Sequence, residues 1–445
     1  MNRISKQFLM AVICLLTVSN VFSKKNNGSK PNVIIIFADD LGYGDLSCYG
    51  NPTIHTPNLD QMAYEGAKLT QFYVGSPVCT PSRAALLTGC YPKRVGLHKG
   101  VLYPHSETGL NPDEATIAEL LKEESYKTAC IGKWHLGHHP QFMPLNQGFD
   151  VFYGFPYSND MSRKEQLIMN QRSKYPYHLP WLSQKDTLHV DPDQSVVTRE
   201  LTNKSLAFIK ENQDNNFFLY LAYPMPHIPL YASRKFRGTS PRGLYGDVIS
   251  ELDWGVGQVL DQLRELNLDE NTLVVFTSDN GPWKVYKTEG GSSGPLRGAK
   301  GTTWEGGVRE PAIFWWPGQI DERQQITDVV TAMDLLPTIA SICGANLPVN
   351  TIDGRDISNL LIGTGNIADM PFVYYTKQGK LAGVRVGQYK LISDGKEFFL
   401  YNVEEDISEK YDLKSKEPGR FDRLMQLMNR LDTKITEGIR PVGTI

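Results

Sequence analysis

Short runs of β-branched and aromatic residues recur along the chain and alternate with longer stretches of helical periodicity. The apolar runs cover residues 33–37, 217–223, 273–277 and 312–316, and the helical stretches include 116–124, 196–211 and 245–266. Apolar runs of this length, without polar alternation, predict strands buried on both faces. Strands that alternate with helices predict an α/β fold class, a layered sandwich with a mostly parallel central sheet. Functional groups are then expected on loops at the carboxyl ends of the strands.

The pattern changes after about residue 360. Short alternating strands are predicted at 381–386, 388–393 and 397–402, followed by an amphipathic helix at 420–435. We therefore expect a main domain over residues 31–360 and a small C-terminal α+β domain with an antiparallel sheet over 361–445. The length of 445 residues favours the same division, because one core rarely serves more than roughly 300 residues. The glycine-rich segment 290–294 is predicted to be a short flexible loop.

The first residues have the pattern of an export leader. Arg3 and Lys6 precede a mostly apolar run at 8–18. This run is shorter than the roughly 20 residues of a membrane-spanning helix, which argues against a membrane anchor. We expect residues 1–23 to be a signal peptide and 24–30 a linker. The mature protein is then exported, to the periplasm or the extracellular space, or to a lysosomal or secretory compartment in a eukaryote, without stable membrane insertion.

Charge and cysteine content narrow the possible functions. The formal net charge of -3 gives no bulk attraction to nucleic acid, so an anion site must be built from particular residues. Because the number of cysteines beyond the leader is odd, at least one is unpaired or has another use. Their spacing also excludes a Cys-x-x-Cys zinc or redox site. These cysteines are Cys48, Cys79, Cys90, Cys130 and Cys343.

Two acidic turns directly follow two of the predicted strands. Asp39 and Asp40 come after the first apolar run, and Asp279 with Asn280 comes after the third. Either motif alone is also typical of an ordinary polar turn. Both turns should lie at the same edge of the sheet, where they supply three carboxylates and an amide oxygen. An all-oxygen set predicts one divalent cation, Ca²⁺ or alternatively Mg²⁺, rather than zinc.

The pentapeptide Cys-Thr-Pro-Ser-Arg at residues 79–83 is the most specific motif in the chain. Pro81 fits the first turn of a helix, which puts Cys79 at the helix N-terminus. Backbone N–H groups and the helix dipole favour an anion there, and Arg83 lies one turn further on, facing the same way. The ordinary structural alternative is a capped helix with a buried cysteine.

The Cys-x-Pro-Ser-Arg signature is that of the formylglycine-dependent type I sulfatases. The chain resembles the arylsulfatase A and N-acetylgalactosamine-6-sulfatase type of this family from about residue 31 to 356. Matching segments are 39–45, 79–83, 88–89, 132–137, 226–227, 278–281, 297–300 and 305–307. The resemblance implies an alkaline-phosphatase-like fold, with 31–360 as the sulfatase catalytic domain, and hydrolysis of sulfuric esters.

The resemblance also implies a modified cysteine and a metal site. A formylglycine-generating maturation enzyme would oxidise Cys79 to formylglycine (3-oxoalanine), whose hydrate attacks sulfur. Departure of sulfate from a hydrate regenerates the aldehyde, an exit that a sulfated serine or thiol lacks. The implied metal ligands are Asp39, Asp40, Asp279, Asn280 and the modified Cys79.

The remaining catalytic roles follow from the same resemblance. Arg83 and Lys133 would hold the hydrate and a sulfate oxygen. His135 would deprotonate the second hydroxyl of the hydrate. His227 and Lys300 would bind sulfate and protonate the leaving alcohol.

The sequence motifs specify the substrate less precisely than they specify the type of reaction. His98, Trp283 and Lys284 are candidates to line a sugar site, and Trp283 could stack on a ring. Other residues near the motifs are Lys99, His105, His138, Tyr157 and Asp160. We expect a sulfated carbohydrate, with galactose or N-acetylgalactosamine sulfate as the first hypothesis. The alternatives are a generalist arylsulfatase, a phosphomonoesterase or phosphodiesterase of the same superfamily, and a non-catalytic binder of sulfated glycans if Cys79 is not matured.

Overall fold

The structure is a computed structural model that describes residues 30–169 and 176–445. The predicted signal peptide and nearly all of the predicted linker lie outside the described residues. Among the helices of the described ranges, none has the length and apolar character needed to cross a membrane.

The strands and helices are numbered here in chain order over the described residues. The strands are β1 (Asn32–Ala38), β2 (Ala67–Tyr73), β3 (Thr108–Gly109), β4 (Lys127–Lys133), β5 (Val151–Phe155), β6 (Pro180–Ser183), β7 (Asp186–Val190), β8 (Phe217–Ala222), β9 (Thr272–Ser278), β10 (Arg309–Trp315), β11 (Gln324–Ile326), β12 (Val330–Thr331), β13 (Phe372–Tyr375), β14 (Leu381–Val386), β15 (Tyr389–Ser393), β16 (Phe398–Asn402) and β17 (Gly443–Thr444). The α-helices are α1 (Pro57–Tyr64), α2 (Cys79–Thr88), α3 (Ile117–Glu123), α4 (Arg163–Ile168), α5 (Val197–Glu211), α6 (Leu244–Glu265), α7 (Glu305–Val308), α8 (Leu335–Cys343), α9 (Ser358–Leu361) and α10 (Pro418–Glu437).

One large sheet runs through the molecule in the order β11-β2-β10-β9-β1-β8-β4-β5-β6-β7, with β12 beside β2. The five central strands, from β9 to β5, are parallel, and antiparallel strands flank them on both sides. The last residue of β1, Ala38, pairs with Ser278 of β9, and Gly132 of β4 pairs with Ala222 of β8. The loops that follow these strands therefore leave from the same edge of the sheet.

Two buried clusters cover the two faces of this sheet. Successive residues of β1 alternate between them, so that Val33 and Ile35 belong to one cluster and Ile34 and Ile36 to the other. Helices α2, α3 and α8 pack on the first face, while α1, α5 and α6 pack on the second. This is the predicted layered α/β sandwich with a mostly parallel central sheet.

The C-terminal region contains the predicted antiparallel sheet, in the order β13-β14-β15-β16, together with helix α10. Its side chains Phe372, Leu391 and Met428 belong to the same buried cluster as helix α2. The C-terminal sheet thus shares one buried core with the helix that begins at Cys79. The domain limits 31–360 and 361–445 stay a prediction.

Two features differ from the sequence pattern. Strand β4 was not predicted, because Lys127 and Lys133 at its ends interrupt the apolar run. The loop at 290–294, predicted to be flexible, is instead anchored. Gly44 N donates to Ser292 O (2.9 Å), and Ser292 N donates to the Asp45 carboxylate (2.9 Å).

Candidate active site

Helix α2 places Cys79 at the centre of the site. The helix begins at Cys79, and no described side chain caps the N–H groups of its first turn. All ten residues of the helix are buried, which fixes the position of this end. Uncapped N–H groups and the helix dipole make the surroundings of Cys79 favourable to an anion.

The two acidic turns meet beside Cys79. Asp40 N donates to Asp279 Oδ1 (3.0 Å), and Asn280 Nδ2 donates to Asp40 Oδ1 (2.7 Å). Cys79 Sγ lies 3.6 Å from Asp39 Oδ1. Asp40 has a φ of 64°, a left-handed conformation that is costly outside glycine and typical of functional sites. The loops after β1 and β9 therefore bring three carboxylates and one amide to the start of α2.

Two fully buried cations, Arg83 and Lys133, lie under this cluster. Arg83 Nη2 is 2.9 Å from Asp279 Oδ2, and its Nη1 donates to the carbonyl of Lys133 (3.0 Å). Lys133 Nζ is 2.5 Å from Asp39 Oδ2 and donates to Ser158 Oγ (3.0 Å). Burial favours a neutral Asp39, but Lys133 and the other nearby cations hold the pKa of Asp39 well below its ordinary value.

A third cation, Lys300, contacts the cluster and lines the cavity. Its Nζ is 2.7 Å from Asp40 Oδ1 and 3.6 Å from Cys79 Sγ. The ammonium also lies 4.3 Å from the ring centre of Trp283. Burial opposes its charge, but Asp40 raises the pKa of Lys300, so this side chain stays protonated.

The ring of His135 has one bonded nitrogen and one open nitrogen. Its Nε2–H donates to Leu102 O (2.8 Å), and within the described residues its Nδ1 has no hydrogen-bond partner. The residue has a φ of 61°, and its carbonyl accepts from Thr80 Oγ1 (2.9 Å), which ties it to α2. Burial, followed by the charge of Lys133, lowers the pKa of His135 well below its usual value. A neutral ring with an open Nδ1 can accept a proton.

His227 lies between the acidic cluster and Trp283. Its Nδ1–H donates to Ile228 O (2.6 Å), which leaves Nε2 facing Asp40 Oδ2 at 3.6 Å. The rings of His227 and Trp283 are 5.3 Å apart. Burial, followed by the charge of Lys300, lowers the pKa of His227 well below its usual value.

Cys79, His135, His227 and Lys300 form the floor of an open cavity of about 580 Å³. A volume of this size suits a small molecule such as one or two sugar rings. The described residues that line it are Val78, Cys79, Lys99, Gly100, Val101, Tyr103, His135, Ser158, Asp160, Met161, His227, Trp283, Lys300, Gly301, Lys377 and Gln378.

Comparison with known proteins identifies the family of this site. The sulfatase family model matches residues 31–345, and the model described as N-sulphoglucosamine sulphohydrolase, C-terminal, matches 299–437. Human arylsulfatase A is 44% identical over 383 residues, which cover 81% of this chain and 74% of that protein. N-acetylgalactosamine-6-sulfatase of Canis lupus familiaris is 41% identical over 376 residues, covering 81% and 71%. The crystal structure of Ps i-CgsB in complex with k-i-k-neocarrahexaose superposes with a TM-score of 0.82 at 33% identity, covering 91% of this chain and 93% of that one.

The chain belongs to the sulfatase family. It has the alkaline-phosphatase-like fold of sulfatases, and it is a sulfuric ester hydrolase. The Cys79 helix, the acidic turns and the buried cations are the candidate site of this sulfatase.

The residues predicted from the sequence occupy three positions in this sulfatase. Cys79, His135, His227, Trp283 and Lys300 line the cavity, while the acidic turns, Arg83 and Lys133 lie beneath it. Of the other candidates for the sugar site, Lys99 and Asp160 also line the cavity, whereas the described lining does not include His98, His105, His138, Tyr157 or Lys284. Lys284 Nζ bonds to Ser293 Oγ, and His98 packs against Gly379.

Sequence reasoning missed Tyr103, Lys377 and Gln378, which also line the cavity. Tyr103 lies in a loop without regular periodicity, and the other two lie in a turn of the C-terminal sheet, almost 300 positions beyond Cys79. A solvent-exposed turn has no pattern that links it to a remote helix, so only the fold could reveal them.

The acidic cluster of this sulfatase has the properties of a cation site. Burial, followed by the charge of Asp39, raises the pKa of Asp279 to about 7, which reflects carboxylates crowded together away from water. Asn280 Oδ1 has no hydrogen-bond partner within the described ranges. Asp39, Asp40, Cys79 and His227 also offer ligand atoms within 4.8 Å of one another. The donors are mostly oxygens, a set that fits a hard divalent cation.

Proposed function

We propose that this sulfatase removes sulfate from a sulfated carbohydrate by means of a formylglycine made from Cys79 and one bound divalent cation. The observation that carries the proposal is the position of Cys79 Sγ, which is 3.6 Å from both Asp39 Oδ1 and Lys300 Nζ on the cavity floor. Any ester that reaches this floor meets Cys79 and a fixed positive charge together.

Asp39, Asp40, Asp279 and Asn280 would hold the cation, together with residue 79 in its modified form. Calcium is the first candidate and magnesium the second, because the set is rich in oxygen. The formylglycine hydrate would supply the nucleophilic hydroxyl, and the cation would polarise sulfate oxygens.

The balance of charge on the floor supports binding of an anion. Arg83, Lys133 and Lys300 match the three carboxylates of the acidic turns in number. A divalent cation would therefore give the floor an excess of positive charge. This excess is buried, where attraction for a sulfate group is stronger than it is in water.

His135 and Lys300, which both line the cavity with Cys79, have different roles in this proposal. The open Nδ1 of His135 accepts a proton from the hydrate, since its Nε2–H is held by Leu102. Lys300 keeps its charge and donates hydrogen bonds to a sulfate oxygen or to the leaving oxygen. His227 contributes a second polar group on the Lys300 side.

Three features support a carbohydrate as substrate. The cavity of about 580 Å³ has room for sugar rings, and Trp283 in its wall offers an aromatic face. Among similar proteins, one is named for N-acetylgalactosamine 6-sulfate, and another is bound to k-i-k-neocarrahexaose. A galactose or N-acetylgalactosamine sulfate is the first candidate. The leader pattern of residues 1–23 supports export, with modification of Cys79 by a maturation enzyme in the producing cell.

A substrate panel tests the proposal. Galactose and N-acetylgalactosamine sulfated at single defined positions are assayed beside nitrophenyl sulfate and nitrophenyl phosphate, with kcat/KM as the measure. The proposal expects one sugar sulfate to exceed both aryl esters. If no sugar sulfate exceeds nitrophenyl sulfate, a generalist arylsulfatase replaces it. A preference for the phosphate would instead indicate a phosphoesterase.

A further inference from the structure

The turn between β13 and β14 of the C-terminal sheet reaches the cavity. Thr376 N donates to Lys380 O (2.8 Å), and Gly379 N donates to Thr376 O (2.8 Å), which closes the turn. Lys377 and Gln378 at its tip line the same cavity as Cys79. The C-terminal sheet therefore contributes directly to the wall of the site.

This turn is fixed against the loop that carries Lys99. Gly100 N donates to Lys377 O (2.8 Å). Gly379 has a φ of 76°, and a Cβ added to it would lie only 2.3 Å from His98 Cδ2. Contact this close is possible only for glycine, so His98 and Gly379 hold the two loops together.

Lys99 and Lys377 consequently lie on two adjoining loops, and both line the cavity. Both side chains are exposed, and neither forms an ion pair with any described residue. The stem of Lys377 also lies close to Gly301, since a Cβ there would be 3.5 Å from Lys377 Cδ. Lys377 is therefore beside the residue that follows Lys300.

The cavity wall offers little negative charge against these lysines. Among the described residues that line it, the only carboxylate is Asp160, whose Oδ1 is buried and has no hydrogen-bond partner. The positive side chains of the wall are Lys99, Lys300 and Lys377. Lys300 lies beside Cys79. Lys99 and Lys377 lie apart from the floor, so they are available to a part of the substrate that does not react.

We propose that Lys99 and Lys377 bind a second anionic group of the substrate, a sulfate or carboxylate carried by the same or the adjoining sugar. This inference rests on the proposed function and narrows it to substrates with at least two negative charges. Lysine ammonium groups donate charge-assisted hydrogen bonds to a sulfate or carboxylate, and such bonds are stronger than those between neutral groups. Their exposure to water makes the attraction sensitive to salt.

The test compares three disaccharides that share one scissile sulfate. The first has no other charge, the second has an added sulfate and the third has an added carboxylate, which separates the two sources of the second anion. In the wild-type enzyme, kcat/KM is expected to be higher for at least one doubly charged substrate, and the preference should fall as salt increases. Lys99→Gln and Lys377→Gln should each reduce the preference by roughly three- to tenfold, and Lys377→Arg should retain most of it.

Lys380→Gln is the matched control. Lys380 is exposed in the same turn and lies outside the cavity lining, so its loss should leave the preference unchanged. The inference is overturned if the Lys99→Gln, Lys377→Gln double variant prefers doubly charged disaccharides as strongly as wild type does. The proposed function still holds in that case if the singly sulfated disaccharide is hydrolysed.

Calorimetric titration separates the inference from catalysis. A multiply sulfated disaccharide is titrated into Cys79→Ala protein with and without the two lysine substitutions. Weaker binding without the lysines supports the second anion site, and unchanged binding rejects it. If protein with a confirmed aldehyde at position 79 hydrolyses no sugar sulfate at all, the proposed function is wrong, whatever the titration gives.

Discussion

The floor and the mouth of the cavity are built in different ways. The floor contains Cys79, supported from beneath by the two acidic turns, Arg83 and Lys133, which are nearly all without exposure to water and are fixed by contacts to one another. The mouth consists of exposed side chains, such as Lys99 and Lys377, on loops from two parts of the chain. On the proposed function, we expect the floor to determine the reaction and the mouth to determine the substrate. Changes in the floor should therefore affect all substrates, whereas changes at the mouth should affect some.

The largest effect is expected at Cys79. Cys79→Ala and Cys79→Ser should each lower kcat on every sulfate ester by more than about 10⁴-fold, because alanine has no group to oxidise and a serine that stays an alcohol cannot release sulfate once it is sulfated. The fold should persist, with thermal unfolding close to that of wild type. Cys343→Ala, which removes another buried thiol remote from the floor, is the control and should stay active. Substantial turnover by Cys79→Ser protein in which residue 79 is still an alcohol would contradict the proposed role of an aldehyde.

Loss of Asp279, one of the proposed metal ligands, should have the next largest effect. Asp279→Asn should lower activity by about 100-fold or more on all substrates, since it weakens the cation site. Added Ca²⁺ should raise the Tm of wild-type protein, as any ligand of the folded state does, and should raise that of the variant much less. Metal analysis of wild type should find calcium or magnesium. Stoichiometric zinc without either ion would refute the oxygen-ligated site.

Lys300 and His227 join the floor to the mouth, so their effects should depend on the leaving group. Lys300→Met or His227→Gln should slow sugar sulfates by about 10²- to 10⁴-fold, because a sugar alcohol needs help to leave. Nitrophenyl sulfate should lose much less, since nitrophenolate leaves without a proton. Lys210→Met, on the exposed face of α5, serves as the control. Equal losses of activity on sugar sulfates and on nitrophenyl sulfate would mean that Lys300 and His227 bind sulfate without assisting the leaving group.

The smallest effect is expected where the two loops of the mouth meet. Gly379→Ala would place a Cβ against His98, so it should displace the turn and lower the preference for doubly charged substrates by a few fold. Gly395→Ala is a matched control in the turn between β15 and β16. Gly395 also has a positive φ, but its Cβ would meet open space within the described parts of the chain. Both variants should lose about 1–2 kcal/mol of stability from the left-handed backbone, and only the first should change specificity.

The contrast between the buried floor and the exposed mouth also explains which residues could be placed from the sequence. The apolar runs that became β1 and β9 located Asp39 and Asp279, because a buried strand ends where its polar loop begins. The pentapeptide located Cys79 at a helix start for local reasons of backbone geometry. Lys377 could not be placed in this way, since its position depends on packing between distant segments.

Lys284 and His98 show that closeness to a motif in the sequence does not place a residue in the cavity. Both are near the motifs in sequence, and neither lines the cavity among the described residues. Nearness along the chain says little about the direction of a loop side chain. Lys284 bonds to Ser293, and His98 supports the turn that carries Lys377. The fold class was predictable because strand and helix periodicities are local, whereas the wall of the cavity is not.

The mass of the tryptic peptide 69–83, which contains Cys79, tests the central claim most directly. It should be measured on several preparations together with their specific activity on one sulfate ester. We predict that the aldehyde form of residue 79 is present in every active preparation and that activity rises in proportion to its fraction. Full activity in protein that contains only the thiol form would contradict the account.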